Sequence, residues 1–161
     1  MIEQSVERPS RRDSFETFFA ETEPKLRQAL CGGFGAERGR EATAEALAQG
    51  WQRWDRVKGM DNPEGYLYRI GERWARAQER RHLGLLRREP SASPGHPEFE
   101  PGLDPALAAL SRRQRQVVLL VVGFGLTHAE TASLLELSRS SVQIHLERGL
   151  AKLRTALGVD Q

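Results

Sequence analysis

The stretch Thr127-His-Ala-Glu-Thr-Ala-Ser-Leu-Leu-Glu-Leu-Ser-Arg-Ser-Ser-Val-Gln-Ile-His-Leu-Glu-Arg148 decides how this chain folds. Thr127 and Glu130 have the spacing of a capping box, which predicts the start of a short helix of eight residues. Ser138 is placed to cap a longer helix from Arg139 to about Leu157. A short helix, a tight turn and a longer helix are the pattern of a helix-turn-helix.

The first turns of the longer helix carry side chains that suit base edges and phosphates in the major groove of DNA. With two residues from the start of the shorter helix, the predicted DNA-binding set is Thr127, His128, Arg139, Ser140, Ser141, Gln143, His145 and Arg148. The local charge agrees, since residues 105–161 hold seven Arg or Lys against four Asp or Glu. The alternative to a DNA-binding motif is an αα-hairpin whose two helices only pack together. Ile144 and Leu150, among the polar positions, suit a thymine methyl, a partner protein or the rest of the domain.

Upstream of this motif, Ser111 and Gln114 predict another capping box ahead of the apolar run 117–122. Six consecutive Val and Leu residues also suit a buried strand. We predict a helix, because the cap is in place, the neighbouring segments are helical, and the sequence offers no second strand to pair with this one.

The amino half predicts three helices. The first has apolar residues at helical spacing, with Ser14 as its N-cap and Gly32-Gly33 as its stop. The second spans about residues 40–56, and the third begins at Pro63 and runs to about residue 86. Spacings of three and four place four arginines on one face of the third helix: Arg69, Arg73, Arg76 and Arg80. Such a stripe with aromatic residues nearby favours nucleic acid as a partner, and a solvated charged face is the alternative.

Composition divides the chain of 161 residues into four parts. Residues 1–13 are polar and predict a disordered tail, and residues 89–104 hold four of the eight prolines and predict a flexible linker. Helical blocks at residues 14–88 and 105–161 lie on either side of the linker. The predicted fold is therefore all-α, with two small helical domains joined by the linker. The net charge of the chain is +2, which does not by itself indicate a partner.

The chain shows no pattern of an enzyme. Its four histidines lack a metal-ligand spacing, residues 32–35 lack the Lys-Ser/Thr of a phosphate-binding loop, and no Ser or Cys lies in a nucleophile motif. Cys31 is the single cysteine, which excludes an intrachain disulfide. No segment approaches the roughly 18 apolar residues of a membrane span. We expect a cytoplasmic, non-enzymatic protein without membrane insertion, metal or cofactor.

On these segments the chain resembles the extracytoplasmic-function sigma factors of the sigma-70 family, which direct bacterial RNA polymerase to promoters. The likeness to sigma region 4 is the most specific and lies in residues 110–119, 125–135, 137–142 and 146–154. The amino half looks like sigma region 2 and is matched at these positions: Glu41, Glu45, Leu47, Trp51, Arg53, Asn62-Pro63 and 66–70.

The resemblance implies partners and a role for each set of residues. The DNA-binding set of the carboxyl half would read the −35 element of double-stranded promoter DNA. The −10 element would meet Lys58, Asn62, Arg69, Arg73, Arg76 and Arg80, and core RNA polymerase would meet Glu41, Glu45, Trp51 and Arg53. Members of the family are normally restrained by an anti-sigma factor or another protein regulator. Glu136 stands where the family usually has a turn glycine.

A second function is compatible with the same residues. A sigma-like helix-turn-helix regulator would bind DNA or polymerase without melting promoters. The two functions differ in what the amino half does, because melting requires a base pocket and arginines that hold the DNA backbone.

Overall fold

The computed structural model describes residues 10–85 and 102–159, and over these residues it is helical without strands. In the amino half the helices are α1 Arg11–Phe34, α2 Ala36–Gln52, α3 Trp54–Val57 and α4 Pro63–Leu85. The carboxyl half contains α5 Leu103–Ala108, α6 Arg112–Val118, a π-helical turn Leu119–Gly123, α7 His128–Leu135 and α8 Arg139–Leu157. The prediction of an all-α fold is confirmed. Residues 1–9 of the predicted tail and 89–101 of the predicted linker lie outside the described residues.

The first helix is longer at both ends than the sequence predicted. Ser10, not Ser14, is the N-cap, because its Oγ accepts from the amide of Asp13 at 3.1 Å while the Asp13 carboxylate accepts from the Ser10 amide at 3.2 Å. Residues 11–13, predicted as tail, are therefore helical. The prediction that Gly32-Gly33 stops the helix is wrong, since both glycines are buried in it and α1 ends only before Gly35, at φ 93°.

The rest of the amino half agrees more closely with expectation. The second predicted helix starts at Ala36 rather than residue 40, and it breaks after Gln52, so that the last residues form the separate α3. Helix α4 begins at Pro63 as predicted, and the side chain of Asn62 caps it by accepting from the amide of Gly65 at 2.9 Å. Helices α1, α2 and α4 pack around buried Leu26, Leu30 and Leu67.

Local capping determines the helices of the carboxyl half. The predicted capping boxes at Ser111 and Thr127 are both present, and the apolar run 117–122 is helical rather than a strand. Helix α5 starts at Leu103, so the predicted linker ends two residues earlier than expected, after Gly102 in the left-handed conformation at φ 97°. Helices α5, α6 and α7 contact α8, which forms the scaffold of this half.

The two halves pack against each other and share a continuous buried core. The guanidinium of Arg115 on α6 donates to the carbonyl of Gly32 on α1 at 3.1 Å, and its pKa is lowered by burial and by the charge of Arg112. Arg112 lies over the ring of Phe34 at 4.6 Å and donates to both carboxylate oxygens of Glu79 at 3.1 Å. We call this the packed arrangement.

Replacing Glu79 with glutamine is expected to loosen the packed arrangement. Glu79 lies between Arg112 of the carboxyl half and Arg38 of α2, which approaches it at 3.5 Å. The groups are partly exposed, so the loss should be no more than about 1 kcal/mol and should shrink in high salt. Small-angle X-ray scattering should show a larger radius of gyration for Glu79→Gln than for Glu64→Gln, which makes the same charge change at the other end of α4. Equal radii would contradict the role of this ion pair.

The turn between α7 and α8 contains backbone strain. Glu136 adopts φ 56° and ψ 43°, the left-handed region that a side chain disfavours, and Leu137 N donates to Ala132 O at 2.9 Å to close the turn. We expect Glu136→Gly to stabilise the chain by about 1 kcal/mol in urea unfolding. Gly125→Ala is the reverse control. Gly125 has φ 79°, which an alanine disfavours, and open space around its Cβ position. This substitution should therefore destabilise the chain through backbone strain and not through a clash. A destabilised Glu136→Gly variant would contradict strain at this turn.

Candidate nucleic-acid interface

Helix α8 buries one face and exposes the other. Val142, Leu146 and Leu153 are buried and fix the helix on the domain. Ser138 caps it, its Oγ accepting from the amide of Ser141 at 3.1 Å. Ser141 and His145 are half-buried, and the four other predicted residues of α8 are exposed around its solvent side: Arg139, Ser140, Gln143 and Arg148. This face has the side chains and the position of a recognition surface.

Two further residues lie on the same exposed face. Glu147 was missed, and its carboxylate accepts from the side-chain amide of Gln143, which orients that amide. The spacing of four between them was the available signal. Ile144 is 44% exposed, whereas Leu150 packs against the core, so only Ile144 is free to meet a thymine methyl or a partner.

The start of α7 carries the other two predicted −35-type residues. Thr127 is exposed, and its hydroxyl and amide both donate to Glu130, at 2.9 Å and 2.8 Å. Its hydroxyl also accepts from the Glu130 amide at 3.1 Å, so its role in the structure is a helix cap. His128 is half-buried beside it.

The arginine stripe of α4 is partly engaged in the packed arrangement. Arg69 donates to the carbonyl of Ser133 on α7 at 3.3 Å, and Arg76 donates to Glu72 at 2.8 Å. Arg73 and Arg80 are exposed. Helix α7 therefore covers part of the surface predicted to meet the −10 element.

The two remaining residues of that predicted set lie at the α3–α4 connection. Lys58 pairs with Asp55 at 3.4 Å, and Asn62 caps α4. Between Asn62, Tyr66 and Arg69 on one side and α7 on the other lies a cleft of about 430 Å³. The carboxyl half therefore closes one side of this cleft, which lies beside Asn62 and Arg69 of the predicted −10 set.

The residues predicted to bind polymerase do not form one cluster. Glu41 is exposed on α2, and Glu45 accepts from Gln49 at 2.7 Å. Arg53 donates to the hydroxyl of Tyr66 at 3.1 Å and so faces α4. Trp51 lies on another side, where Arg11 stacks over its ring at 4.5 Å.

Sequence reasoning missed the neighbours of Trp51. Phe15 lies 5.1 Å from the Trp51 ring centroid, and Phe19, 40% exposed, extends the same aromatic surface. These side chains line a cleft of about 520 Å³ between α1 and α2, with apolar Leu47 at its base and Arg27 and Arg40 on its rim. The helical spacing of Phe15 and Phe19 was visible in the sequence, but the two side chains were not assigned to a binding surface.

Within residues 10–85 and 102–159, no group of His, Cys, Asp and Glu side chains has the arrangement to hold a metal ion. No helix in the described part of the chain is both long and apolar enough to cross a membrane. Tyr68 is fully buried without a hydrogen-bond partner for its hydroxyl in these residues, and burial, with the charge of Glu72, raises its pKa.

A capped helix-turn-helix with an exposed polar face, set on an all-α chain, defines the class of helix-turn-helix proteins. Residues 103–153 match the family model of sigma-70, region 4. Among solved structures, the sigma factor RpoE, in complex with the anti-sigma factor NepR from Bartonella quintana, gives a TM-score of 0.72 at 18% identity, over 92% of this chain and 99% of that chain. CnrH, in complex with the cytosolic domain of CnrY, gives a TM-score of 0.59 at 22% identity, over 93% of this chain and 91% of that chain. No curated protein matches the chain in sequence.

The family model is matched in sequence over part of the chain, whereas the solved structures are matched in fold over most of it. Residues 103–153 carry the region 4 sequence pattern, and the chain as a whole has the fold of the RpoE sigma factor. The resemblance to extracytoplasmic-function sigma factors is confirmed at these two levels.

Proposed function

We propose that the chain is a sigma factor of the extracytoplasmic-function type, which binds core RNA polymerase and directs it to promoter DNA. The observation that supports this most is the exposed polar surface of α8, where Arg139, Ser140, Gln143 and Arg148 face solvent on a helix that its buried apolar residues fix to the domain. The region 4 match over residues 103–153 agrees with a −35-type role for this face. The family does its work by binding, and no reaction is assigned to this chain.

The polymerase-binding surface is proposed on α1 and α2. Trp51, Phe15 and Phe19 offer an exposed aromatic cleft that Glu23, Arg27 and Arg40 also line, whereas Glu41 and Glu45 lie on the same helix as Trp51 but outside this cleft. Exposed apolar surface flanked by charge is typical of a protein interface. We assign the docking of core polymerase to this side of the amino half.

Promoter opening requires the packed arrangement to separate. Helix α7 covers Arg69 and one side of the cleft beside Asn62 and Tyr66, so the −10 element gains access only when the halves move apart. Residues 14–88 and 105–161 are proposed as the two moving domains. Two of the similar solved structures are complexes, of RpoE with an anti-sigma factor and of CnrH with CnrY, so we also propose a protein regulator that selects one arrangement.

Binding experiments test this function in two separate steps. The full chain should select a specific duplex from random DNA, and it should bind core polymerase in a pull-down that Trp51→Ala weakens. Gln52→Ala, at the next exposed position of α2, is the matched control. A chain that selects no sequence and does not bind core would contradict the proposal.

The second candidate function is a sigma-like regulator that binds DNA or polymerase without melting promoters. The contact of Arg69 with Ser133 favours it, because a stripe engaged by α7 is less available to single-stranded DNA. Transcription from a promoter that the chain binds separates the two functions.

A further inference from the structure

A cleft lined by arginines lies where the two halves of the chain meet, and we call it the arginine cleft. Among the described residues, Arg69, Arg73 and Arg76 come from α4 and Arg113 comes from α6. The end of α7 and the turn at Glu136 close another side, and the volume is about 230 Å³. The cleft therefore exists only while the packed arrangement holds.

Positive charge in this cleft is not balanced by the protein. Four guanidiniums face two carboxylates, those of Glu72 and Glu136. Glu72 is buried and already accepts from Arg76 at 2.8 Å. The remaining guanidiniums keep an excess of charge that a bound anion would neutralise.

The partners of the other three arginines are neutral or absent. Arg69 donates to the carbonyl of Ser133 at 3.3 Å, and Arg113 donates to the amide oxygen of Gln116 at 3.3 Å. Arg73 makes no hydrogen bond or ion pair with any residue in the ranges 10–84 and 102–159. Donors without charged acceptors, gathered in one cleft, are the features of an anion site.

We propose that the arginine cleft binds a compact phosphoanion, a diphosphate or triphosphate group, which holds the two halves together. The planar guanidinium matches phosphate oxygens in a bidentate fork. The cleft is smaller than the roughly 300 Å³ at the lower end of drug-sized pockets, which favours a short phosphate chain over a whole nucleotide. Like charges from α4 and α6 repel in the packed arrangement, and the bound anion turns that repulsion into attraction.

Binding at this cleft would regulate access to α4. Arg69, Arg73 and Arg76 belong to the surface proposed for the −10 element, so an anion there competes with promoter DNA. This consequence rests on the proposed function, whereas anion binding itself does not. Arg113 lies outside both proposed DNA-binding sets, so its replacement separates the two activities.

Isothermal titration calorimetry of the full chain with inorganic triphosphate, at constant ionic strength, tests the site. We expect saturable binding that Arg113→Gln weakens by about tenfold, the loss of roughly one charge-assisted hydrogen bond, and that Arg154→Gln leaves unchanged. Arg154 is an exposed arginine near the end of α8 and gives the same change in charge. Arg73→Gln removes an exposed, unpartnered guanidinium and is used should Arg113→Gln fail to fold.

Small-angle X-ray scattering gives a second measurement. Triphosphate should lower the radius of gyration of the wild-type chain, while sulfate at the same ionic strength should not. Absence of saturable binding, or equal affinity in Arg113→Gln and Arg154→Gln, would overturn the proposal. The proposal would also be overturned if the chain bound a single-stranded oligonucleotide through Arg113 but did not bind triphosphate. The cleft would then be a contact for nucleic acid. Triphosphate binding by a chain that selects no duplex would contradict only the sigma-factor function.

Discussion

Arg139→Ala is expected to weaken binding to the selected duplex by about 1–3 kcal/mol and to relax sequence preference at one base pair. Arg139 is the first residue of α8 and is exposed at the N-terminal end of the helix, the end at which a recognition helix meets base edges. Arg148→Ala should weaken binding more uniformly across sequences and lower the salt dependence, because its position about two and a half turns later suits a phosphate.

Fluorescence anisotropy with the selected duplex and a scrambled duplex measures both effects. Arg154→Ala is the matched control, an exposed arginine in the last turn of the same helix. It should cost little affinity at moderate salt, since its charge lies away from the proposed contact. Unchanged affinity in both Arg139→Ala and Arg148→Ala would remove α8 from the DNA interface.

Leu30→Ala is expected to destabilise the chain by about 2–5 kcal/mol. Leu30 is fully buried between α1, α2 and α4, where its methyl groups lie so close to Gly71 that a Cβ there would meet one of them at 2.6 Å. A cavity at this point removes contacts to all three helices at once, and tight neighbours relax only partly.

Urea unfolding followed by circular dichroism measures this loss. Leu83→Ala is the control, because Leu83 is 76% exposed on the last turns of α4 and its truncation should change the unfolding free energy by no more than about 0.5 kcal/mol. A similarly small loss of unfolding free energy for both variants would contradict the packing of α1 against α2 and α4.

Three helix starts in the carboxyl half were predictable from sequence because local hydrogen bonds decide them. Ser111, Thr127 and Ser138 cap the predicted helices, because each side chain finds its acceptor or donor within three residues. The exposed face of α8 followed from the same local information, since the cap fixes the helix and the apolar positions fix its rotation.

Apart from the local cap at Ser10, the misjudged features depend on distant segments. Gly32-Gly33 remains helical and is buried against the carboxyl half, where Arg115 bonds its backbone. The coverage of Arg69 by α7 and the approach of Arg113 to α4 arise from packing between residues far apart in sequence. The charge and spacing of residues along a single helix do not predict contacts between segments that are distant in sequence.

The most direct test of the sigma-factor function is transcription in vitro from a promoter that carries the selected duplex. Core polymerase with the full chain should produce a transcript from a defined start, and core alone should not. Arg139→Ala should reduce the yield in line with its loss of DNA affinity, while Arg154→Ala should not. No transcript from a promoter that the chain demonstrably binds, with core polymerase also bound, would contradict the account and favour the regulator.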